Sequence, residues 1–213
     1  HYRSHSFPTR RSSDLIEALV GSGQLIQRRG SGTIVAPRVE RLEQALSLLT
    51  SFTEDMARRG RQIDSRWLAR GLHSPSPEEV MALGLATGDR VARLERVRVS
   101  DGVPLAVEMA SLPATILPDP ESVQTSLYAL LESRGQRPLR AVQRISAANL
   151  GRRDADLLGV APGVAGLRIE RVAYLASGAV VEFTRSLYRG DAYDFAVELK
   201  MHPDSDRAER TSR

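Results

Sequence analysis

The sequence contains no cysteine, a single lysine (Lys200) and a single tryptophan. The first absence excludes a disulfide framework and any thiolate metal site. Histidine is scarce as well. His1, His5, His73 and His202 are scattered and mostly near the ends, so no metal-ligand cluster is visible and no cofactor is expected. No apolar run reaches membrane-spanning length, so no membrane partner is expected and a cytoplasmic location is inferred. There is no Ser/His/Asp spacing, no Walker loop and no dinucleotide fingerprint. With lysine almost absent, arginine carries the basic character. A bias of that kind reflects genome composition, so the net charge of +4 says little about nucleic acid.

What is present suits a folded domain. With 213 residues, 41% of them hydrophobic, one medium domain with a real core is within reach. The stretch Leu94-Glu95-Arg96-Val97-Arg98-Val99-Ser100-Asp101-Gly102-Val103-Pro104-Leu105-Ala106-Val107-Glu108 reads as a hairpin, with Ser-Asp-Gly as its turn. Arg96 and Arg98 are two residues apart on one strand and share a face, with Val97 and Val99 on the other. Paired guanidiniums suit a phosphate or carboxylate; two solvated surface arginines are the plainer alternative.

The stretch occurs twice. Leu83-Gly84-Leu85-Ala86-Thr87-Gly88 leads to Leu94-Glu95-Arg96-Val97, and Leu158-Gly159-Val160-Ala161-Pro162-Gly163 leads to Ile169-Glu170-Arg171-Val172. Gly84 and Gly159, Gly88 and Gly163, and Arg96 and Arg171 are each 75 apart. Gly102 and Gly178 are 76 apart, and Glu108 and Glu182, read as counterparts, are 74 apart. Two copies are too few for a solenoid, so one domain with internal pseudo-symmetry is expected. Arg98 has Ala173 as its counterpart, and a residue kept in one copy alone is less expected to be framework.

Residues 1–14 read as neither helix nor strand and resemble translated adapter sequence, so a non-native tail is expected there. Residues 15–37 read as a helix end closed by Gly21 and Gly23, then a strand, a glycine turn with two arginines at its mouth, and a second strand. That is the trailing part of a winged helix-turn-helix. Residues 38–50 read as a linker and 201–213 as a disordered tail. Ser51 can cap a helix running to about Arg59, with Glu54 at the capping-box position and a dipole that favours an anion. Pro77 opens a helix ending at Gly84, Ser126 caps Leu127–Ser133, and strands are predicted over 62–72, 140–148 and 195–199. Trp67 is expected to pack in the core or on the sheet.

Leu25-Ile26-Gln27-Arg28-Arg29-Gly30-Ser31-Gly32-Thr33-Ile34-Val35-Ala36 resembles the wing of GntR-type bacterial transcription regulators. Ser51-Phe52-Thr53-Glu54-Asp55-Met56, Leu94-Glu95-Arg96-Val97-Arg98, Ser126-Leu127-Tyr128-Ala129-Leu130-Leu131 and Tyr188-Arg189-Gly190-Asp191-Ala192-Tyr193-Asp194-Phe195 resemble the effector-binding UTRA domain of their HutC-like subgroup. The match spans about residues 15–200 and lacks the leading helices and most of the recognition helix. The chain as it stands is therefore expected to bind operator DNA only weakly.

The resemblance implies an α+β, chorismate-lyase-like fold over residues 51–200: an antiparallel sheet of about six strands with short helices. It implies a ligand-responsive transcriptional regulator, usually a repressor, that binds double-stranded operator DNA as a homodimer. A small anionic effector, such as a phosphosugar or carboxylate metabolite, would control it. A lyase-like enzyme using Glu108 and Glu182 as acid and base is the alternative on the same fold. The implied wing contacts to DNA are Arg28, Arg29, Gly30, Ser31 and Gly32. The implied effector site uses Phe52, Thr53, Arg96 and Arg98 for the anionic end, and Glu108, Ser126, Tyr128, Glu182 and Tyr188 for polar groups. Plainer roles remain open: Phe52 as core, Ser126 as a cap, Tyr188 as a sheet residue, and Arg96 paired with Glu182.

Overall fold

The computed structural model describes residues 12–21, 25–28, 32–35, 42–45, 49–58 and 60–196. The chain divides into two compact units, His1–Glu40 and Arg41–Arg213.

In the first unit, α1 (Ser12–Gly21) precedes β1 (Leu25–Arg28) and β2 (Gly32–Val35). The two strands pair antiparallel, with Leu25 opposite Val35 and Arg28 opposite Gly32, as the wing reading expects. The helix begins at Ser12, so the last three residues of the expected tail are helical instead. Asp14 complements the helix dipole in the first turn. Arg29, Gly30 and Ser31 lie outside the described residues, as does the side chain of Arg28.

The second unit opens with β3 (Leu42–Ala45), inside the stretch read as a linker. It pairs parallel with β10 (Tyr193–Ala196), with Leu42 opposite Tyr193 and Ala45 opposite Ala196. Four residues carry too little alternation to announce a strand, and the partner that stabilises it comes from the far end of the unit. The last strand thus starts two residues earlier than predicted, and residues 197–200 lie outside the described set.

Between these come α2 (Phe52–Arg58), β4 (Ile63–His73), α3 (Pro77–Leu83), β5 (Val91–Ser100), β6 (Val103–Pro113), a short 3-10 turn at Pro120–Ser122, α4 (Leu127–Ser133), β7 (Arg140–Asn149), α5 (Arg152–Leu158), β8 (Ala165–Tyr174) and β9 (Val180–Arg189). β4 to β9 form one six-stranded sheet, order β4-β5-β6-β9-β8-β7, with every pair antiparallel.

The helices are short, and their caps are written in the sequence. Ser51 Oγ accepts from the Glu54 amide at 3.1 Å, and Glu54 Oε2 accepts from the Ser51 amide at 2.9 Å. Ser76 and Glu79 repeat this capping box on α3, with Pro77 in the first turn. Ser126 Oγ accepts from the Ala129 amide at 3.2 Å.

Alternation assigns the two faces of the sheet. Ala92, Leu94, Ala110 and Leu112 point to one side and pack with Leu127, Tyr128 and Leu131 of α4; Trp67 joins them. Val97 and Val107 point to the other and pack with Ala155 and Leu158 of α5, as Val91 and Phe183 do with Leu83 of α3. On that second face Glu79 is fully buried. Its carboxylate accepts from Arg93 Nε at 2.7 Å and Ser111 Oγ at 2.7 Å, and it caps the Ser76 amide at 2.7 Å.

The repeat is real and larger than the sequence reading had it. In β5–β6, Arg96 faces Glu108 and Arg98 faces Ala106; in β8–β9, Arg171 faces Thr184 and Ala173 faces Glu182. Both ladders then slip by one residue at the same place, between Arg98 and Val99 and between Ala173 and Tyr174. The register corrects one correspondence. Glu108 matches Thr184, and Glu182 matches Ala106, so the two glutamates are not counterparts. The match also extends back to α2 and α4. Ser51 and Ser126, Phe52 and Leu127, Thr53 and Tyr128, and Gly60 and Gly135 are each 75 apart, with φ of 67° and 68° at the two glycines. Met109 faces Arg185 across β6 and β9 and these two residues correspond, so the internal two-fold axis passes through that rung.

Candidate functional site

The first face of the sheet carries a small polar cavity beneath α2 and α4. Ten of its twelve lining residues are five two-fold pairs: Ser51 and Ser126, Phe52 and Leu127, Thr53 and Tyr128, Arg96 and Arg171, Glu108 and Thr184. The other two, Arg98 and Glu182, are the places where the symmetry breaks, their counterparts being Ala173 and Ala106. A rung that holds a cation in one half thus holds a carboxyl group in the other. The cavity has a basic end and an acidic end.

At the basic end, Arg96 is neutralised. Glu108 Oε1 accepts from its Nε at 2.7 Å and lies 2.6 Å from its Nη2, and Trp67 covers the guanidinium with its ring centroid 5.0 Å away. Burial raises the Glu108 carboxyl, but Arg96 and Arg98 outweigh it and hold the pKa below the ordinary value. The expected alternative, Arg96 paired with Glu182, does not form. Glu108 sits directly opposite Arg96 on the adjacent strand, whereas Glu182 Oε2 accepts from Tyr128 Oη at 3.0 Å.

Arg98 is 1% exposed. It donates to Ser65 Oγ at 2.9 Å and Thr53 Oγ1 at 2.8 Å and lies 4.5 Å over the Phe52 ring, while its Nε has no hydrogen-bond partner. Burial, then the charge of Arg96, lowers its pKa to about 10. Among the described residues no carboxylate makes an ion pair with it.

At the acidic end, burial raises the pKa of Glu182 above the usual carboxylate range despite the hydrogen bonds it accepts, and burial also raises Tyr128. Arg171 donates from Nε and Nη2 to Gln143 Oε1 at 2.8 and 2.6 Å and from Nη1 to the Thr50 carbonyl at 3.3 Å.

Of the nine residues expected at the effector site, eight line this cavity. Tyr188 does not. It is buried against Phe52, Tyr193 and Phe195 at centroid distances of 6.4, 4.5 and 6.1 Å, so it supports the Phe52 wall from outside the cavity. Ser51, Leu127, Arg171 and Thr184 line the cavity and were not expected. The 75-residue spacing of Ser51-Phe52-Thr53 and Ser126-Leu127-Tyr128 was the signal that could have found Ser51 and Leu127. Arg171 was already marked as the twin of Arg96. Among the described residues no group of three or more histidine or acidic side chains could hold a metal ion.

The family model for the UTRA domain matches residues 58–194. The chain belongs to the UTRA family. Its UTRA domain is that of a GntR-type, HutC-like regulator. The chain is 34% identical over 180 residues to the HTH-type transcriptional repressor NagR of Bacillus subtilis, a match covering 83% of this chain and 73% of that one. It is 34% identical over 179 residues to the HTH-type transcriptional repressor PhnF of Mycolicibacterium smegmatis, covering 82% and 71%. The crystal structure of PhnF superposes with a TM-score of 0.70 at 30% identity, covering 89% of this chain and 84% of that one. The effector domain of PhnF alone gives 0.70 at 31% identity, covering 75% of this chain and 99% of that one. The UTRA membership and these relatives make this chain a ligand-responsive DNA-binding transcriptional regulator, and its six-stranded antiparallel sheet is the expected fold. No helix among the described residues is long and apolar enough to cross a membrane.

Proposed function

We propose that the cavity between α2, α4 and the sheet is the effector site. Its ligand is a small molecule with an anionic group at one end and hydrogen-bonding hydroxyl or amino groups at the other. The observation that carries this is Arg98: a buried guanidinium, oriented by two hydroxyl groups, with an unpartnered Nε and no carboxylate in contact. Burying such a cation without a counter-charge is costly, and an arriving anion removes the cost. Glu182 and Tyr128 at the opposite end supply an acceptor and a hydroxyl for the ligand's polar groups. Phosphosugars and hydroxycarboxylates have this layout.

The site binds and does no chemistry. Glu108 is committed to Arg96, which leaves the lyase reading without a free second carboxylate. Effector binding shifts a homodimer in the cytoplasm between states that hold and release double-stranded operator DNA, in the sense of a repressor. The wing residues Arg28, Arg29, Gly30, Ser31 and Gly32 contact the DNA backbone. The β1–β2 hairpin supports this assignment.

The test is calorimetric titration of the chain with sugar phosphates and hydroxycarboxylates, repeated on Arg98→Ala. Binding that weakens ten-fold or more in the variant supports the site. Binding of equal strength in both overturns it.

A further inference from the structure

We infer that Arg171 is a second anchoring cation of this cavity, and that the ligand held between it and Arg98 carries two negative charges. The inference rests on the effector-site reading above. It starts from the internal two-fold.

Arg96 and Arg171 stand on equivalent rungs, yet only Arg96 has a carboxylate in ion-pair contact. Burial works against the Arg171 charge, but the nearby Tyr128 and Glu182 groups outweigh it and raise its pKa. Its cross-strand neighbour is Glu108, whereas the neighbour of Arg171 is Thr184. On the outer side, Trp67 faces Arg96 and Gln143 faces Arg171. Gln143 Oε1 accepts two hydrogen bonds from Arg171 and the Thr50 carbonyl accepts a third. Amide and peptide oxygens orient a guanidinium without cancelling its charge. Arg98 is treated in the same way by the hydroxyls of Ser65 and Thr53.

Among the described residues neither Arg98 nor Arg171 has a carboxylate in ion-pair contact. Of the two acidic groups in the cavity, Glu108 is taken by Arg96. Glu182 is engaged by Tyr128, and burial disfavours its ionised form. Two oriented guanidiniums without an ion-paired carboxylate, one from each half, therefore face one cavity. The ligand chemistry that matches them is a dianion, either one phosphomonoester-type group or two carboxylates.

The experiment titrates the chain at pH 7.5 and low salt with two dianions, inorganic phosphate and malate, and two monoanions, dimethyl phosphate and lactate. Three variants are compared: Arg171→Gln, Thr184→Glu and Arg98→Ala. Thr184→Glu installs opposite Arg171 the carboxylate that its twin already has. The expected result is at least one dianion binding ten-fold or more tighter than its monoanionic counterpart. That preference is lost in Arg171→Gln and equally in Thr184→Glu, whose unliganded melting temperature stays level or rises. Phosphate alone or malate alone tells which dianion the site takes. If both second-half variants keep wild-type dianion binding while Arg98→Ala loses it, Arg171 is framework; the inference fails and the effector site stands. If the wild type binds none of the four, or Arg98→Ala binds as well as wild type, the site reading fails and takes the inference with it. Should one second-half variant not fold, the other decides.

Discussion

Arg98 and Ala173 occupy the same position in the two copies of one hairpin, and the side chain present in one and missing in the other gives the cavity its direction. A two-fold site would accept a ligand in either orientation. With Arg98 in one half and Glu182 at the matching rung of the other, the two ends of the cavity differ in chemistry and a ligand is read in one orientation.

Arg98→Met should leave the unliganded protein as stable as wild type or slightly more so, while weakening an anionic ligand ten- to a hundred-fold. The folded pKa of Arg98, about 10, lies below its unfolded value, so its charge opposes folding at every pH below about 10, and the penalty is relieved only above that. Losing one charge-assisted contact removes about 1.5–3 kcal/mol of binding. Paired melting and titration check both halves of the statement. Early melting with unchanged binding would make Arg98 structural.

Glu79 should govern acid stability. Desolvation pushes its pKa up, but the hydrogen bonds from Arg93, Ser76 and Ser111 bring it down to about 2. A depressed folded pKa gives stability that is complete above the unfolded value near 4.5 and is lost as pH falls from there toward 2. Glu79→Gln should cost about 3 kcal/mol at neutral pH, because Arg93 loses its counter-charge, and should flatten the stability profile between pH 5 and 2. Urea unfolding across that range measures it; an unchanged profile contradicts the assignment.

Glu182 should act with the opposite sign. Its folded pKa is raised by burial, so the stability linked to its neutral form is full below the unfolded value and fades as pH rises through the folded one. Glu182→Gln fixes the neutral form and should match or exceed wild-type stability at pH 8. A clear loss of stability at pH 8 would mean that the ionised carboxylate is the one the cavity favours.

Gly166→Ala should destabilise by about 1–3 kcal/mol. A Cβ at Gly166 would come within 2.8 Å of the Tyr188 carbonyl oxygen, and that backbone belongs to the adjacent central strand β9 and cannot yield as a flexible side chain would. Chemical denaturation of the variant tests the close approach of the strands.

Much of this was legible in the chain. Ser51 with Glu54 announces a helix start through local hydrogen bonds, and the capping box forms; Pro77 announces the start of α3. The shared face of Arg96 and Arg98 follows from strand periodicity alone. What could not be read depends on partners far away in sequence. β3 exists because β10 pairs with it. Arg96 chose Glu108 over Glu182 by ladder register, which spacing did not resolve; the 74-residue match of the two glutamates was an accident of two nearby acidic positions. The burial of Glu79 needed knowledge that Arg93 and Ser111 share a face beneath α3.

The most direct measurement of the central claim is a calorimetric titration of the wild-type chain and Arg98→Ala with a ligand that joins a phosphate group to free hydroxyls, such as a hexose phosphate. Wild type should show one site per chain that distinguishes among hexose phosphates and weakens ten- to a hundred-fold in the variant. Binding of the same strength in the variant, or no dependence on the anionic group when the phosphate is removed, would contradict it.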